Sequence, residues 1–349
     1  MDNFLDKFFF RSRNLNDISK NLNNLTNQTP ANKIFEALNT YSGISEVRYV
    51  GGCIRKIIKK ETIDDIDLAT NLIPSEVCDA LKKKEINFYE TSLQHGTITA
   101  IIDDYKYEIT SLRKDVITDG RHAKVEFSLD WKEDASRRDF SINSIYSDKD
   151  GNLFDPYNGK KDLESGTINF IGDVENRIKE DYLRILRYIR FFLDYSNQSH
   201  NPKIIKIIKR NISGVSKLSS ERLLDEFKKL TKSNRFNKIF KDKISLELIK
   251  IIFPQLKNLE NFKKFNSYAL DNLSNIDFIF LLSLMVVDGT DNTDYFIYKF
   301  NISKKNQKRL KLIDFFYKES VSTKNFTEKY LNKIFYFNGK QTVLDIINF

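Results

Sequence analysis

Val47–Thr70, VRYVGGCIRKIIKKETIDDIDLAT, is the stretch of sequence that decides the fold of this chain. Apolar and β-branched residues lead into the pair Gly51-Gly52, isoleucines then recur at helical spacing, and the run IDLAT returns to the alternation of a strand. The pattern predicts a strand, a glycine turn, a short helix and a second strand.

Two features of this stretch indicate phosphate chemistry. Paired glycines before a helix let backbone N–H groups approach a phosphate, and Arg55 adds positive charge one turn into the helix. Asp65 and Asp67 are two residues apart on a strand and project from the same face, where a divalent metal commonly relieves their repulsion. Each feature alone is more often a plain turn or a solvated strand edge. Together they favour phosphoryl or nucleotidyl transfer.

The same residues resemble the signature of the polymerase-β-like nucleotidyltransferases, specifically the bacterial tRNA nucleotidyltransferase/poly(A) polymerase family (class II). The family pattern GG-x-V-R-D, then D-x-D-x-A-T, stands here as GGCIRK and DIDLAT, with Lys56 in place of the usual acid. Lys56 reverses a charge, which puts a local acid–base contact in doubt but not the phosphate or metal positions. The resemblance implies nucleotide binding by Gly51, Gly52 and Arg55, and catalysis and Mg²⁺ binding by Asp65 and Asp67.

The composition is that of an ordinary globular protein with a basic bias. A chain of 349 residues with 40% hydrophobic and 30% charged residues can form two to three domains. The net charge of +9 favours a polyanionic partner, nucleic acid first and an anionic membrane second. Two cysteines provide neither a disulfide framework nor a zinc spacing, which fits the cytoplasm. No stretch approaches the roughly 18 apolar residues of a membrane span, and residues 278–287 are predicted to form a buried helix.

The first half of the chain is predicted to be α+β. Residues 1–28 form a helical or loose extension, and residues 29–160 form a head domain with a mixed sheet and helices. Glu108 lies in the strand YKYEIT and is a candidate third catalytic carboxylate, although a solvated strand acid is an equal alternative. Residues 115–125 are polar, contain Gly120 and lack helical periodicity, so they are predicted to form a mobile loop.

Residues 131–146, WKEDASRRDFSINSIY, contain a second motif on a predicted helix. They resemble the family pattern R-R-D-F-T-x-N-A. Paired arginines by themselves are more often a solvated helix face. The resemblance implies that Arg138 binds the triphosphate and that Asp139 and Asn143 hold the ribose or the frame of the site.

Beyond residue 160 the patterns are almost entirely helical, which predicts a neck at residues 161–228 and a body and tail at residues 229–349. Asp181, Arg184, Arg187 and Arg190 recur every three residues and form one polar stripe. On an anonymous helix such a stripe is usually a salt-bridged surface. Residues 180–191, EDYLRILRYIRF, however, resemble the family's base-recognition motif E-D-x-L-R-x-L-R-x-x-R-F.

The chemistry of this stripe suits a particular set of bases. A carboxylate only accepts hydrogen bonds and a guanidinium only donates them. Cytosine and adenine offer an amino donor beside a ring-nitrogen acceptor, whereas uracil and guanine offer the reverse order. A pair of Asp181 and Arg184 would therefore select C and A without a nucleic-acid template. Arg187 and Arg190 would support the pair or reach the phosphates.

Residues 218–227, LSSERLLDEF, resemble the helix that ends the neck in this family. The remaining helices are rich in lysine and phenylalanine. The resemblance assigns this region to the tRNA body, with a solvated lysine face as an equal alternative. The basic cluster concerned comprises Lys304, Lys305, Lys308, Arg309 and Lys311.

The resemblance as a whole implies a CCA-adding tRNA nucleotidyltransferase that uses Mg²⁺, CTP and ATP and has tRNA, but no membrane, as its partner. A poly(A) polymerase, or an enzyme that adds only CC or only A, is the closest alternative because all share these motifs. A catalytically silent RNA-binding protein is the alternative from a different class, against which the intact Asp65 and Asp67 argue. A small-molecule nucleotidyltransferase would not need the long basic helical half. No histidine is followed by aspartate, so an added HD phosphohydrolase activity is not expected.

Overall fold

The computed structural model describes residues 18–63, 65–92, 96–117, 124–233, 235–322 and 327–349. The chain divides into two compact units, residues 1–180 and residues 181–349. The predicted α+β head followed by helices is confirmed.

The first unit is built on a seven-stranded mixed sheet and a separate hairpin. The strands are β1 Val47–Val50, β2 Ile66–Thr70, β3 Asn87–Ser92, β4 Thr97–Ile102, β5 Tyr105–Ser111, β6 Arg113–Ile117, β7 Lys124–Phe127, β8 Tyr146–Ser147 and β9 Leu153–Phe154. The strand order in the sheet is β3-β4-β5-β2-β1-β8-β9, and β6 pairs with β7 in the hairpin. Strands β2 and β5 are parallel, and the other neighbours in the sheet are antiparallel.

The first unit also contains helices, several of which pack on this sheet and close its core. They are α1 (residues 18–28), α2 Ala31–Asn39, α3 Gly52–Lys59, α4 Pro74–Lys83, α5 Trp131–Ser136, α6 Gly159–Ser165 and α7 Val174–Glu180. In α3 the isoleucine spacing places Ile54 and Ile57 in the core. Each such burial contributes about 1.5–3 kcal/mol, so the helix that follows the glycine pair is fixed to the sheet.

The second unit is helical throughout its described residues. Asparagine, serine or aspartate side chains cap several of its helices, including α9, α10, α11 and α13. Its helices are α8 Leu183–Tyr195, α9 Pro202–Asn211, α10 Ser220–Thr231, α11 Lys243–Ile252, α12 Ser267–Asp271, α13 Phe278–Val286, α14 Asn292–Lys299, α15 Lys304–Ser322, α16 Glu328–Asn338 and α17 Lys340–Asn348. Across the described part of the chain, no helix has the length and apolar character needed to cross a membrane.

The chain divides into its two compact units at residue 180, and the domain boundary near residue 160 stays a prediction. Residues 161–180 are attached to the head by contacts that the helical pattern does not reveal. Ser141 donates its backbone N–H to Asn169, and the rings of Phe140 and Phe170 lie 4.6 Å apart. The further division into extension, neck and body stays a prediction.

Two local predictions are revised by the backbone. In the loop predicted at residues 115–125, residues 115–117 belong to β6 and residues 124–125 to β7, because the two segments pair as antiparallel strands. Gly120 and its neighbours lie outside the described residues. Of the predicted extension, residues 1–17 also lie outside them, whereas residues 18–28 are helical and bury Ile18 and Leu22 in the head core.

Candidate active site

The glycine pair brings the backbone at the start of α3 close to the Asp67 side chain on β2. Gly51 has φ of 69° and ψ of −113°, a conformation that side-chain-bearing residues rarely adopt. The backbone N–H of Gly52 donates a hydrogen bond to the Asp67 carboxylate. A Cβ at Gly52 would lie 3.4 Å from Asp67 Oδ2. The glycines predicted to bind nucleotide thus already have a defined task, which is to bring the backbone close to this carboxylate.

Three of the predicted nucleotide-binding residues form a connected chain beside Asp67. The Arg55 guanidinium donates to Asn143 Oδ1. Asn143 donates in turn to Asp139 Oδ1 at 2.7 Å, and the same oxygen accepts the backbone N–H of Phe140 at 2.9 Å. The carboxylate and the amide are buried. Asp139 and Asn143 therefore set the direction of the Arg55 side chain, and their role toward the ribose or the frame of the site stays a prediction.

Arg138 is held by a buried carboxylate that the sequence reading missed. Asp134 Oδ2 accepts from Arg138 Nη2 at 3.1 Å and from the Tyr146 hydroxyl at 2.6 Å, while Asp134 Oδ1 accepts from Arg137 Nη2 at 2.6 Å. Arg137 Nε also donates to the carbonyl of Arg113, the first residue of β6. Asp134 therefore fixes both arginines and links them to the base of the β6–β7 hairpin.

The predicted helix through the paired arginines is shorter than expected. Helix α5 ends at Ser136, Arg137 is its C-cap, and Arg138 follows the last helical turn. Only a 3₁₀ turn, Ser141–Asn143, comes after it. Because Asp134 is three and four residues before the arginines, its carboxylate binds both where the helix stops. That spacing was a readable signal for Asp134.

The charged side chains of this cluster shift the pKa values of Asp67 and Asp134. Burial raises the pKa of Asp67, Arg138 and Arg55 lower it, and Asp65 raises it again; the net shift is upward. Burial also raises the pKa of Asp134, but Arg138 and Arg137 outweigh burial and hold that pKa well below its usual range. Asp134 is therefore an anion between two cations at neutral and mildly acidic pH.

The carboxylates predicted to act with Asp67 lie on its strand and on the neighbouring one. Asp65 is exposed and immediately precedes β2. Glu108 is exposed on β5, and it is the in-register partner of Asp67 in the parallel pair, so both side chains leave the same face. In the described ranges, no group of three or more His, Cys, Asp or Glu side chains could hold a metal ion. The catalytic and metal roles of these carboxylates stay predictions.

Replacing Gly51 with alanine is expected to weaken the fold and the site together. The added Cβ meets no atom closer than 3.8 Å, so the cost comes from the backbone conformation and amounts to about 1–3 kcal/mol. Gly43→Ala is the matched control because nothing lies within 4 Å of its Cβ and its φ is not in the left-handed region. Urea unfolding of both variants measures the difference, and equal stabilities would contradict this role of Gly51.

The polar stripe predicted on the second unit exists, and its aspartate has an ion-pair partner on another helix. Asp181, Arg184, Arg187 and Arg190 are all half-buried at or near α8. Asp181 Oδ2 accepts from Arg222 Nη2 at 2.7 Å, and the role of Asp181 and Arg184 in reading a base stays a prediction. The backbone N–H of Arg184 donates to the Asp181 carbonyl at 3.0 Å, as in a helical first turn.

Glu226 binds the other end of the stripe. Its side chain is 3% exposed, and its Oε1 accepts from Arg190 Nε at 2.5 Å. Its Oε2 lies 3.9 Å from Arg187 Nη1. The same two arginines stand over the ring of Phe191, at 4.2 Å for Arg190 and 5.3 Å for Arg187. They therefore have structural partners within the unit, and their nucleotide-binding role stays a prediction.

Fewer residues of the basic cluster on α15 are available to RNA than the sequence indicated. Lys304, Lys305 and Lys308 are exposed. Arg309 is only 12% exposed and donates to Asp345 Oδ2 at 2.8 Å, so it serves packing within the unit. Lys311 lies 2.9 Å from Asp294. Arg309 is therefore not part of the candidate RNA-binding surface.

Two protein-family models match this chain. Residues 47–169 match the family model described as "Poly A polymerase head domain", and residues 201–260 match the one described as "Probable RNA and SrmB- binding site of polymerase A". Together the two matches span just over half of the chain. This chain belongs to the tRNA nucleotidyltransferase/poly(A) polymerase family. The family matches cover the residues around Asp67 and exclude most of the basic tail.

Relatives within the family are similar over the first half of the chain. The human protein "CCA tRNA nucleotidyltransferase 1, mitochondrial" is 42% identical over 195 residues, 55% of this chain and 45% of that protein. The "CCA-adding enzyme" of Lactobacillus johnsonii is 37% identical over 187 residues, 53% of this chain and 46% of that protein. The chain thus matches about half the length of these relatives.

Solved structures share the fold over a longer range. The Bacillus stearothermophilus CCA-adding enzyme in complex with CTP has a TM-score of 0.68 and 21% identity, covering 90% of this chain and 74% of that chain. A tRNA nucleotidyltransferase complexed with a primer tRNA and an incoming ATP analog has a TM-score of 0.64 and 21% identity, covering 87% of this chain and 90% of that chain. At this identity the likeness concerns the fold alone.

Proposed function

We propose that this chain is a CCA-adding tRNA nucleotidyltransferase that adds C, C and A from CTP and ATP to the 3′ end of tRNA without a template. One observation carries the proposal. Asp67 is held by the Gly52 N–H beside Asp65, and the positive charges of Arg55 and Arg138 act on it. Two acids and two cations near one glycine turn provide what a nucleoside triphosphate and its metal require.

The donor set near Asp67 fits a divalent cation. Asp65 and Asp67 offer hard carboxylate oxygens, and the charge of Asp65 disfavours ionised Asp67, a repulsion that a bound cation removes. We therefore assign Mg²⁺ to Asp65 and Asp67, with Glu108 as an additional carboxylate on the same face. When bound, the ion supplies charge stabilisation to the phosphates and lowers the pKa of a coordinated hydroxyl.

The protein residues have separate tasks in this reaction. Arg55 and Arg138 stabilise the negative charge of the triphosphate, and their networks hold them in place before substrate arrives. Asp65 and Asp67 orient the RNA 3′-hydroxyl and favour loss of its proton. The hydroxyl oxygen bonds to the α-phosphorus in line with the departing pyrophosphate, so one P–O bond forms and one breaks.

Base selection is assigned to the second unit. Asp181 as acceptor and Arg184 as donor match the Watson–Crick edges of C and A and oppose those of U and G. The "CCA-adding" names of the relatives and the CTP and ATP-analog complexes of similar structures support these substrates. Transfer RNA is the proposed partner.

One assay separates this proposal from its alternatives. The chain is incubated with tRNA ending at the discriminator base and with labelled CTP and ATP, and the products are sequenced. Ordered addition of C, C and A supports the proposal. Long A tails with no use of CTP indicate a poly(A) polymerase, and products ending at CC, or extended only by A, indicate a partial enzyme. RNA binding without incorporation indicates a non-catalytic protein.

Neutralising Lys304, Lys305 and Lys308 together is expected to reduce the salt dependence of tRNA binding. Each lysine that contacts a phosphate releases about one counterion, so the slope of log affinity against log salt should fall by roughly 2–3 if all three contact RNA. Filter binding at several salt concentrations measures the slope. Lys329, Lys333 and Lys340 are exposed on α16 and α17, and their triple replacement is the matched control. Equal slopes in the two variants would show that α15 presents only a solvated face.

A further inference from the structure

The carboxylate of Asp181 is fixed from two directions. Its Oδ1 accepts the backbone N–H of Leu183 at 3.1 Å, and its Oδ2 accepts from Arg222 Nη2 at 2.7 Å. The two side chains are partly exposed, with 22% for Asp181 and 26% for Arg222. Each carboxylate oxygen has two lone pairs, so each retains an acceptor site after these bonds. Asp181 can thus accept a further hydrogen bond while its orientation stays set.

The position of Arg222 is itself determined by its helix. Arg222 lies in the first turn of α10, where the side chain of Ser219 caps the helix and accepts the Arg222 backbone N–H. Glu226 follows one turn later and binds Arg190, so α10 is attached to the stripe of α8 at two levels. The arginine therefore approaches Asp181 from a helix that cannot shift without breaking the buried Glu226 pair.

We infer that Arg222 is a positioning residue that fixes Asp181 for base discrimination. The inference rests on the proposed function, because it assigns a task in the selection of C and A. It concerns a residue that acts through Asp181, and it gives the ion pair between α10 and the segment just before α8 a role in specificity.

The physical reason is that rejection of a wrong base requires an immobile acceptor. Uracil presents a carbonyl where cytosine presents an amino group, and two acceptors facing each other in a partly buried site lose hydrogen bonds to water. If Asp181 can rotate, it escapes this conflict and the penalty for uracil decreases. Sites that hold their polar groups rigidly discriminate best because an unmatched group stays unpaired. Arg222 supplies that rigidity.

The test compares CTP with UTP in the full chain carrying Arg222→Gln. Equilibrium affinities for the two nucleotides are measured first, and single-turnover kcat/KM on tRNA ending at the discriminator base is measured second. The expected result is that the CTP-to-UTP preference falls about tenfold or more, which corresponds to one lost charge-assisted hydrogen bond of roughly 1.5–3 kcal/mol. Arg222→Lys should restore part of the preference, since its ammonium can donate one bond to Asp181. Arg210→Gln is the control, because this exposed arginine at the end of α9 carries the same charge in the same unit.

A double-mutant cycle with Asp181→Asn completes the test. Arg222→Gln should change the preference little when Asp181 is already replaced, because the two act as one unit. If Arg222→Gln lowers the affinity for CTP and UTP equally and leaves their ratio unchanged, the role is structural only and the inference is overturned. If the wild-type chain shows no preference for CTP in either measurement, the proposed function fails together with it. A normal wild-type preference that survives in both Arg222 variants overturns the inference alone.

Discussion

Replacing Asp67 with asparagine is expected to reduce nucleotide incorporation by on the order of 10³-fold or more. The substitution keeps the shape of the side chain but removes a charge at the centre of the proposed phosphate site. Charge stabilisation worth several kcal/mol is lost, and each 1.36 kcal/mol corresponds to tenfold in rate. Asp67 is half-buried and accepts the Gly52 N–H, so its carboxylate has a fixed position in the site. Single-turnover incorporation of labelled CTP on tRNA measures the loss.

The fold and the RNA surface should remain intact in this variant. Affinity for tRNA is expected to stay within about twofold of wild type, since the carboxylate serves the metal and the lysines of α15 lie on another unit. Asp104→Asn is the matched control, because this exposed aspartate sits in the turn between β4 and β5. If Asp67→Asn retains more than a few per cent of the wild-type rate while Asp104→Asn is normal, Asp67 is not a metal-binding catalytic residue.

The sequence predicts the local elements of the head because they follow from short patterns. The glycine pair, the isoleucine spacing of α3 and the alternation of β2 are each read within a few residues, and all three elements are present. The parallel register that brings Glu108 beside Asp67 cannot be predicted from such short patterns. It depends on the pairing of strands about forty residues apart, which no local pattern specifies.

The sequence does not specify the partners of the charged residues in the second unit. Asp181 binds Arg222 and Arg190 binds Glu226, and both partners lie on α10. Long side chains on two helices can meet in many ways, and only the packing of α8 on α10 selects one. The motif LSSERLLDEF can be recognised in the sequence, but the ion pairs that its residues form depend on the tertiary fold.

Asp134 illustrates the same point at the head. Its spacing from Arg137 and Arg138 allows a local ion pair, which on an exposed helix contributes only about 0.3–0.5 kcal/mol. Burial to 1% exposure and the hydroxyl of Tyr146 from another element convert this pair into the centre of a network. Sequence spacing suggests the contact, but burial determines its energy, and burial is a property of the tertiary fold.

Replacing Asp134 with alanine is therefore expected to destabilise the head by about 3–5 kcal/mol, since it leaves two half-buried arginines and a buried tyrosine hydroxyl without their shared acceptor. That is a large part of the 5–15 kcal/mol by which domains are typically stable. The single tryptophan, Trp131, has its ring 5.5 Å from that of Tyr146, so its fluorescence during urea unfolding reports on this network. Asp150→Ala is the control, because Asp150 is exposed in a turn and should change stability by no more than about 0.5 kcal/mol.

The lowered pKa of Asp134 predicts how the free energy of unfolding changes with pH. The folded state holds the pKa of Asp134 below its usual range, whereas the unfolded chain has a value of about 3.9. The charge of Asp134 thus stabilises the fold fully above about pH 4–5, and this contribution is lost as the pH falls through the unfolded and then toward the folded value. Asp134→Asn lacks the charge at every pH. The difference in unfolding free energy between wild type and Asp134→Asn should therefore be constant near neutrality and should shrink in acid. A difference that stays unchanged to about pH 3 would mean that the charge of Asp134 does not hold the two arginines.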